Sequence, residues 1–451
     1  MIDSHAHLDF PQFDKDRDEV IRSGFENGLE AVVNIGVDLE TSRKSLELAE
    51  KYERIYAAVG VHPHDSGKAP GDYIDRLKSL AAFPKVVAIG EIGLDYYRDN
   101  SPRKDQREAF TRQLALAAEL DLPVVVHIRE AMHDALNILE KSGVSRGVLH
   151  SFPGDVPEAK TAVEMGFHIS FAGPISYPNS TRLQVAGSLP LSRILTETDS
   201  PYLTPQAFRG KRNRPEYVRY VIEKLADVFS PYTFEDVERI TSLGACRLFS
   251  LPIDKTSKIV YKIRNSLYIN LTSRCSNNCY FCPRNATGGF VAGHYLMLPK
   301  EPSVEEVLAE IEGQTNFNEV VFCGLGEPTL RLPEMLEIAR RLKSKGYFVR
   351  LNTNGQGGLI NKLDLPSKLS GAVDKVSVSL NAADADTYVR ICRPDRGKEA
   401  YQAVLEFIKG CVDSGISTDV SAVELPEIDM ETCRAIAEEL GADFRLRRYQ
   451  S

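Results

Sequence analysis

The sequence predicts an α/β chain in which an N-terminal (β/α)8 TIM barrel is followed by a partial (β/α)6 barrel. Three observations predict this. The 451 residues exceed what one ordinary core holds, so two domains are expected. Short apolar, β-branched runs alternate with helix-period segments along the chain. Finally, eight such runs precede and six follow a polar, proline-interrupted stretch without period, "SLPIDKTSK" (250–258). The expected division is a first domain over 1–252, a linker over 253–261 and a second domain over 262–451.

The eight strands of the first half are read, in order, at 1–8, 31–36, 55–62, 86–93, 123–128, 147–152, 167–173 and 194–200. Between most of them lie segments such as "QREAFTRQLALAAEL" (106–120), with apolar residues every three or four positions. Near-continuous apolar strands with helical crossovers point to parallel strands closed into a barrel. In that fold the C-terminal strand ends build the active site. His5, His7, His62, Glu91, His127, His150 and Asp199 all fall late in their strands and therefore converge on one mouth.

His5 and His7, two apart on a strand, share a face and chelate one ion. Glu91 has two oxygens and bridges to a second ion held by His127 and His150, with Asp199 completing the first site. Two ions about 3.5 to 4 Å apart clamp attacking and leaving oxygens and lower the pKa of bound water, which Asp199 orients or deprotonates. Any one of these histidines alone is more often a core or surface residue; the set is what carries the argument. The donor types admit zinc, manganese, magnesium or iron.

"DSHAHLDF" (3–10), "VGVHPHD" (59–65), "IGEIGLDYY" (89–97), "PVVVHIREA" (123–131), "LHSFPGD" (149–155) and "TETDSPYLTP" (196–205) resemble successive signatures of the TatD-like metal-dependent hydrolases, a branch of the amidohydrolase barrels. The resemblance implies a metal-dependent nuclease or phosphodiesterase, often acting on DNA from an end. It also implies the same six metal ligands, His5, His7, Glu91, His127, His150 and Asp199. His62 and His64 then lie near the scissile phosphate, as does the basic loop "RGKRNRPEY" (209–217), in which Arg209, Lys211, Arg212 and Arg214 supply local positive charge. Pro153 and His133 depart from the family's usual serine and acidic residue, which touches substrate preference more than activity.

Strands of the second half are read at 267–271, 319–323, 347–351, 375–380, 418–425 and 443–448. The first leads into "CSNNCYFC" (275–282), which places Cys275, Cys279 and Cys282 in a C-x3-C-x2-C loop. A cubane of four irons takes four ligands, so three thiolates leave one iron open to substrate or cofactor. The competing reading is a zinc site completed by His294, but zinc sites usually split their ligands into two knuckles and no second knuckle is visible. The scattered Cys246, Cys323, Cys392, Cys411 and Cys433 suit a reducing compartment; Cys392 in "RICRP" is read as a buried structural thiol rather than a radical relay.

The cysteine loop, with Phe281 before its last cysteine, resembles that of the radical SAM superfamily. That resemblance implies a [4Fe-4S] cluster whose open iron binds S-adenosylmethionine, reductive cleavage of the sulfonium, and an electron donor such as flavodoxin or ferredoxin. It places Gly324, Gly326 and Glu327 of "GLGEP" (324–328), Thr353 of "LNTNG" (351–355), and Ser379 and Asn381 of "SVSLNA" (377–382) at the cofactor. The whole chain resembles the TatD-associated radical SAM proteins. The expected function is phosphodiester hydrolysis joined to radical chemistry on an unspecified substrate. The alternatives are a hydrolase of a small amide or phosphoester coupled to the radical reaction, and a non-catalytic nucleic-acid-binding scaffold.

A formal charge of -8 excludes a protein that coats nucleic acid by bulk charge, while a local patch still holds DNA or another phosphodiester. No apolar run spans a membrane, and "MIDSHAHLDF" lacks the basic flank and apolar stretch of a signal peptide. A cytoplasmic location is therefore expected.

Overall fold

The computed structural model describes residues 1 to 448. They form two compact units that part between Ile253 and Asp254.

In the first unit, β1 (Ile2–Ala6), β2 (Ala31–Ile35), β3 (Ile55–Val59), β4 (Val86–Asp95), β5 (Val124–Arg129), β6 (Gly147–Leu149), β7 (His168–Phe171) and β8 (Ile194–Thr196) pair in parallel in sequence order. Ala6 bridges Ser200, and the Asp199 and His7 amides donate to the His5 and Ser200 carbonyls at 2.8 Å, which closes the ring. This is the TIM barrel that the alternation predicts.

Helices cover the outer face. In Arg103–Leu120, Phe110, Leu114 and Ala117 recur at helical spacing and are buried; the Phe110 side chain alone contributes about 1.5–3 kcal/mol by leaving water. Leu39–Lys51, Val156–Glu164 and Phe234–Leu248 each open with a capping box, formed by Asp38 with Thr41, Asp155 with Glu158, and Thr233 with Asp236.

Several strands end sooner than the sequence suggests. β3, β6 and β8 stop at Val59, Leu149 and Thr196, so His62, His150 and Asp199 lie in the turns beyond them. The reason is geometric: the chain must leave the ladder to aim these groups across the mouth, and Ser151 and Asp199 do so with φ of 42° and 54°. β4 instead runs on to Asp95, carrying Glu91 within the sheet. Just past β3 the chain approaches β4 closely at Gly60, where a Cβ would lie 2.7 Å from the Gly90 carbonyl carbon.

The second unit contains β9 (Val260–Ile263), β10 (Ser266–Ile269), β11 (Phe290–Val291), β12 (His294–Tyr295), β13 (Glu319–Phe322), β14 (Val349–Thr353), β15 (Lys375–Ser379), β16 (Ser417–Val423) and β17 (Asp443–Arg447). The six parallel strands expected from the sequence, β10 and β13 to β17, lie in order, with β17 at one edge. β9 pairs antiparallel with β10 at the other edge, and β11 and β12 form a separate hairpin. The linker expected over 253–261 is therefore too long by two residues: Val260 and Tyr261 belong to β9, where Tyr261 stacks on Tyr268 at 5.2 Å. Among the described residues no helix is long and apolar enough to cross a membrane.

Two candidate catalytic sites

At the C-terminal mouth of the first barrel, Glu91 stands between two groups of donors. Its Oε2 lies 3.5 Å from His5 Nε2 and 3.8 Å from His7 Nε2. Asp199 Oδ1 is 3.2 Å from His7 Nε2 and 3.7 Å from His5 Nε2. The other oxygen, Oε1, lies 3.0 Å from His127 Nδ1 and 2.9 Å from His150 Nε2. All six residues named from the sequence thus surround one centre, in sets whose ligand atoms fall within 4.8 Å of one another.

Neighbouring acceptors fix which nitrogen faces inward in three of the rings. His7 donates from Nδ1 to the Ile35 carbonyl at 2.9 Å, which leaves the Nε2 lone pair for the site. His127 turns Nε2 to Asp95 at 3.2 Å, and His150 turns Nδ1 to Glu197 at 3.3 Å. Glu197 is itself buried and accepts from the Ser151 amide at 2.7 Å and the Ser170 hydroxyl at 2.6 Å. Supports of this kind set ring orientation and ligand basicity in metal sites. Asp3 does the same for the turn carrying Asp199, accepting from the Thr198 amide and hydroxyl.

Burial alone would suppress charge here, yet at Glu91 and His7 the neighbouring charges outweigh it. The imidazoles of His150, His62 and His127 outweigh burial and hold the Glu91 carboxyl well below the usual range. Against the same burial, Asp199 and Glu91 raise His7 to about 9. Burial and the His150 charge lower His5. Carboxylates kept ionised beside inward-facing nitrogens form a centre that attracts cations.

His62 differs from the other imidazoles. Its Nδ1 accepts from the His64 amide at 3.1 Å, so in the neutral ring the proton sits on Nε2, 3.6 Å from Glu91 Oε1. Burial drives its pKa well down and keeps the ring neutral. It therefore presents a donor to the mouth, although its distance also suits a ligand. His64 turns away, pairing with Asp95 at 2.9 Å. In the basic loop, Arg212 is held by Asp16 at 2.5 Å and is not free, while Lys211 sits over the Phe208 ring and Arg209 over Tyr177.

In the second unit, Cys275, Cys279 and Cys282 follow β10 in a loop clamped from one side. The Asn278 amide donates to the Cys392 carbonyl at 3.0 Å, the Tyr280 amide to Ile391 at 3.4 Å, and the Asp395 amide to Ser276 at 2.9 Å. Glu327 is buried and accepts from Thr329 and Thr353 through one oxygen and from the Asn354 amide through the other. Ser379 and Asn381 face the Arg447 guanidinium at 3.2 and 3.4 Å.

Residues 2–250 match the family profile described as TatD related DNase. The metal-dependent hydrolase YabD of Bacillus subtilis is 42% identical over 254 residues, which are 56% of this chain and 99% of that protein. The chain belongs to the TatD related DNase family. The 3'-5' ssDNA/RNA exonuclease TatD of Shigella flexneri is 35% identical over 235 residues, 50% of this chain and 90% of the relative. The crystal structure of the TatD homologue YJJV from Escherichia coli K12 aligns with a TM-score of 0.54 at 32% identity, covering 56% of this chain and 98% of that one. Residues 269–440 match the radical SAM superfamily, so the TatD unit is followed by a radical SAM domain. Both are enzyme families.

The TatD unit's donors fit divalent cations by chemistry and separation. The radical SAM unit's thiols fit a cluster better than one zinc ion. With Zn–S near 2.3 Å, a tetrahedral ion would draw three sulfurs to about 3.8 Å from one another. Among the described residues, the donor groups within 4.8 Å of one another all belong to the TatD unit. His294, the alternative zinc ligand, is turned to the Lys262 carbonyl at 2.9 Å. Burial and the Glu327 carboxylate push the Cys275 thiol up to about 12, so deprotonation there calls for the charge of bound metal.

Sequence reasoning missed Asp95, Glu197, Asn354 and Arg447. Asp95 stands four residues after Glu91 on β4 and Glu197 two before Asp199, but nothing in that spacing separates them from other acids in the sequence. Asn354 donates to Ser276 at 2.8 Å and approaches Cys275 Sγ at 3.9 Å, a contact that only the fold creates.

Proposed function

We propose that the TatD unit is a two-metal phosphodiesterase that shortens single-stranded nucleic acid from an end, and that the radical SAM unit uses S-adenosylmethionine on a second, unspecified substrate. The placement of Glu91, one oxygen toward His5 and His7 and the other toward His127 and His150, carries the reading of the first unit. That arrangement suits two cations, and the name of the Shigella relative supplies the substrate class. Bound there, the ions polarise the phosphodiester and acidify water. His62 donates from Nε2 to a phosphoryl oxygen, and Asp199, kept ionised beside His7, accepts the proton of the attacking water. Arg209 and Lys211 draw the strand to the mouth; Arg212, tied to Asp16, shapes the loop instead.

In the radical SAM unit, Cys275, Cys279 and Cys282 hold the [4Fe-4S] cluster, beside Phe281 in the same loop. When bound, the cluster supplies the electron that cleaves the sulfonium. Gly324 and Gly326 let the loop pass closely: a Cβ at Gly324 would lie 2.1 Å from Asn270 Oδ1. Glu327 and Thr353 fix that loop by their mutual hydrogen bond, while Ser379, Asn381 and Arg447 present polar groups to the carboxylate or ribose of S-adenosylmethionine.

The test of the hydrolase reading uses an end-labelled single-stranded oligonucleotide with each of zinc, manganese, magnesium and iron. The wild-type chain should shorten it stepwise with at least one ion, and His127→Ala should lower kcat/KM by at least about 100-fold. No shortening with any ion, or full activity in the variant, contradicts the reading.

A further inference from the structure

On the face of the barrel that carries the TatD centre, the loop after β7 and the segment after β8 line an open pocket of about 400 Å³, with Tyr177, Pro178, Ser180, Arg182, Gln206 and Arg209 among its residues. Its walls are locked together. The Gln206 amide donates to the Ser176 hydroxyl at 2.8 Å, Tyr177 donates to the Thr204 carbonyl at 3.0 Å, and a Cβ at Gly173 would lie 2.1 Å from the Leu203 carbonyl oxygen.

Two guanidiniums serve this pocket and neither has a carboxylate partner among the described residues. Arg209 lies over the Tyr177 ring at 5.0 Å. Arg182, partly buried, has its pKa lowered by burial, against which the Tyr177 oxygen acts. No Asp or Glu lines the pocket. The contrast with the adjacent basic loop is informative, since Arg212 is neutralised by Asp16 and Arg214 approaches Glu216 at 3.7 Å. Arg209 is exposed, but Arg182 is partly withdrawn from water without a counter-charge, which is costly, and an arriving anion removes that cost. The Ser180 hydroxyl, buried without a partner, adds a donor at the same place.

We propose that this pocket binds one nucleotide of a single-stranded nucleic acid outside the scissile linkage, with its phosphate between Arg182 and Arg209. The volume accommodates one nucleotide in a recess that opens to solvent, and a base held in a duplex stack is not free to enter it. Both walls rise from C-terminal strand ends, the face of the barrel that carries the metal centre. The strand is thereby held at two points, the scissile phosphate at the metals and a further phosphate here. This inference rests on the nuclease reading and deepens it by assigning the residues that grip the strand.

The test measures binding of a fluorescent, phosphorothioate-linked single-stranded oligonucleotide to the metal-loaded full chain across a salt series. Arg182→Gln should weaken binding about tenfold and reduce the slope of log Kd against log salt by about 0.7, the share of one phosphate contact on a single strand, while Arg182→Lys should keep the slope. Should the thermal transition of Arg182→Gln show a fold defect, Arg209→Gln, at an exposed position, gives the same two readouts. A wild-type chain that binds the strand together with variants that bind it equally, at unchanged slope, overturns the pocket and leaves the nuclease reading standing. A wild-type chain that binds no oligonucleotide overturns both.

Discussion

His62 and His127 show how one residue type divides its work by the partner of its second nitrogen. His127 gives Nε2 to Asp95 and turns Nδ1 to Glu91. His62 receives the His64 amide on Nδ1 and turns a protonated Nε2 to the same carboxylate. Removing His62 should therefore cost catalysis and not metal. His62→Ala is expected to lower kcat about 100-fold, as loss of one transition-state donor does, with the divalent ion content unchanged by elemental analysis; loss of one ion would make His62 a ligand. The six donors were legible because each is a chemically unusual residue within or just after an apolar run. Asp95 and Glu197 were not, because carboxylates that steady a ring look like any other acid until the ring is placed beside them.

At the level of elements, the barrel strands were read with their order and sense, while their ends were not. Hydrophobic period marks where a strand is buried, but a turn that leaves the ladder, such as Ser151 or Asp199 with positive φ, keeps the same residue types. β9 escaped notice for a related reason: four residues at a sheet edge resemble a linker until Tyr261 meets Tyr268. The glycines of the loop after β13 serve close packing. A Cβ at Gly326 would lie 2.3 Å from the Arg274 and 2.4 Å from the Thr272 carbonyl oxygens, and those residues lead into the cysteine loop. Gly326→Ala is expected to cost about 1–3 kcal/mol of stability and to lower iron incorporation together. Urea unfolding and iron analysis of the variant check this, and a variant with normal midpoint and normal iron would show that the loop yields.

At the scale of the whole molecule, each unit has its own core and its own set of donors. Stability of the TatD unit should depend on pH through His168 at the start of β7, which lies away from the metal centre. Burial and the Arg193 charge lower its pKa to about 4, and its Nδ1 is buried without a partner. Below the unfolded value of about 6.5 the unfolded chain takes up a proton that the folded chain refuses. Stability is thus full above pH 6.5 and falls as pH drops from there to about 4, by up to about 3 kcal/mol. Unfolding midpoints over that range should show the decline in the wild type and a shallower one in His168→Phe; equal slopes would remove His168 from the account.

The central claim is that one chain carries two complete metal-dependent sites of different kinds. The most direct measurement is the metal and sulfide content of the anaerobically reconstituted chain, beside a variant with Cys275, Cys279 and Cys282 all changed to Ala, followed by reduction with S-adenosylmethionine and assay for 5'-deoxyadenosine. The account predicts about two divalent ions with about four irons and four sulfides in the wild type. Loss of the irons and sulfides alone in the variant should accompany loss of 5'-deoxyadenosine. Zinc in place of iron and sulfide in the cysteine loop, with no cleavage of S-adenosylmethionine, would contradict it.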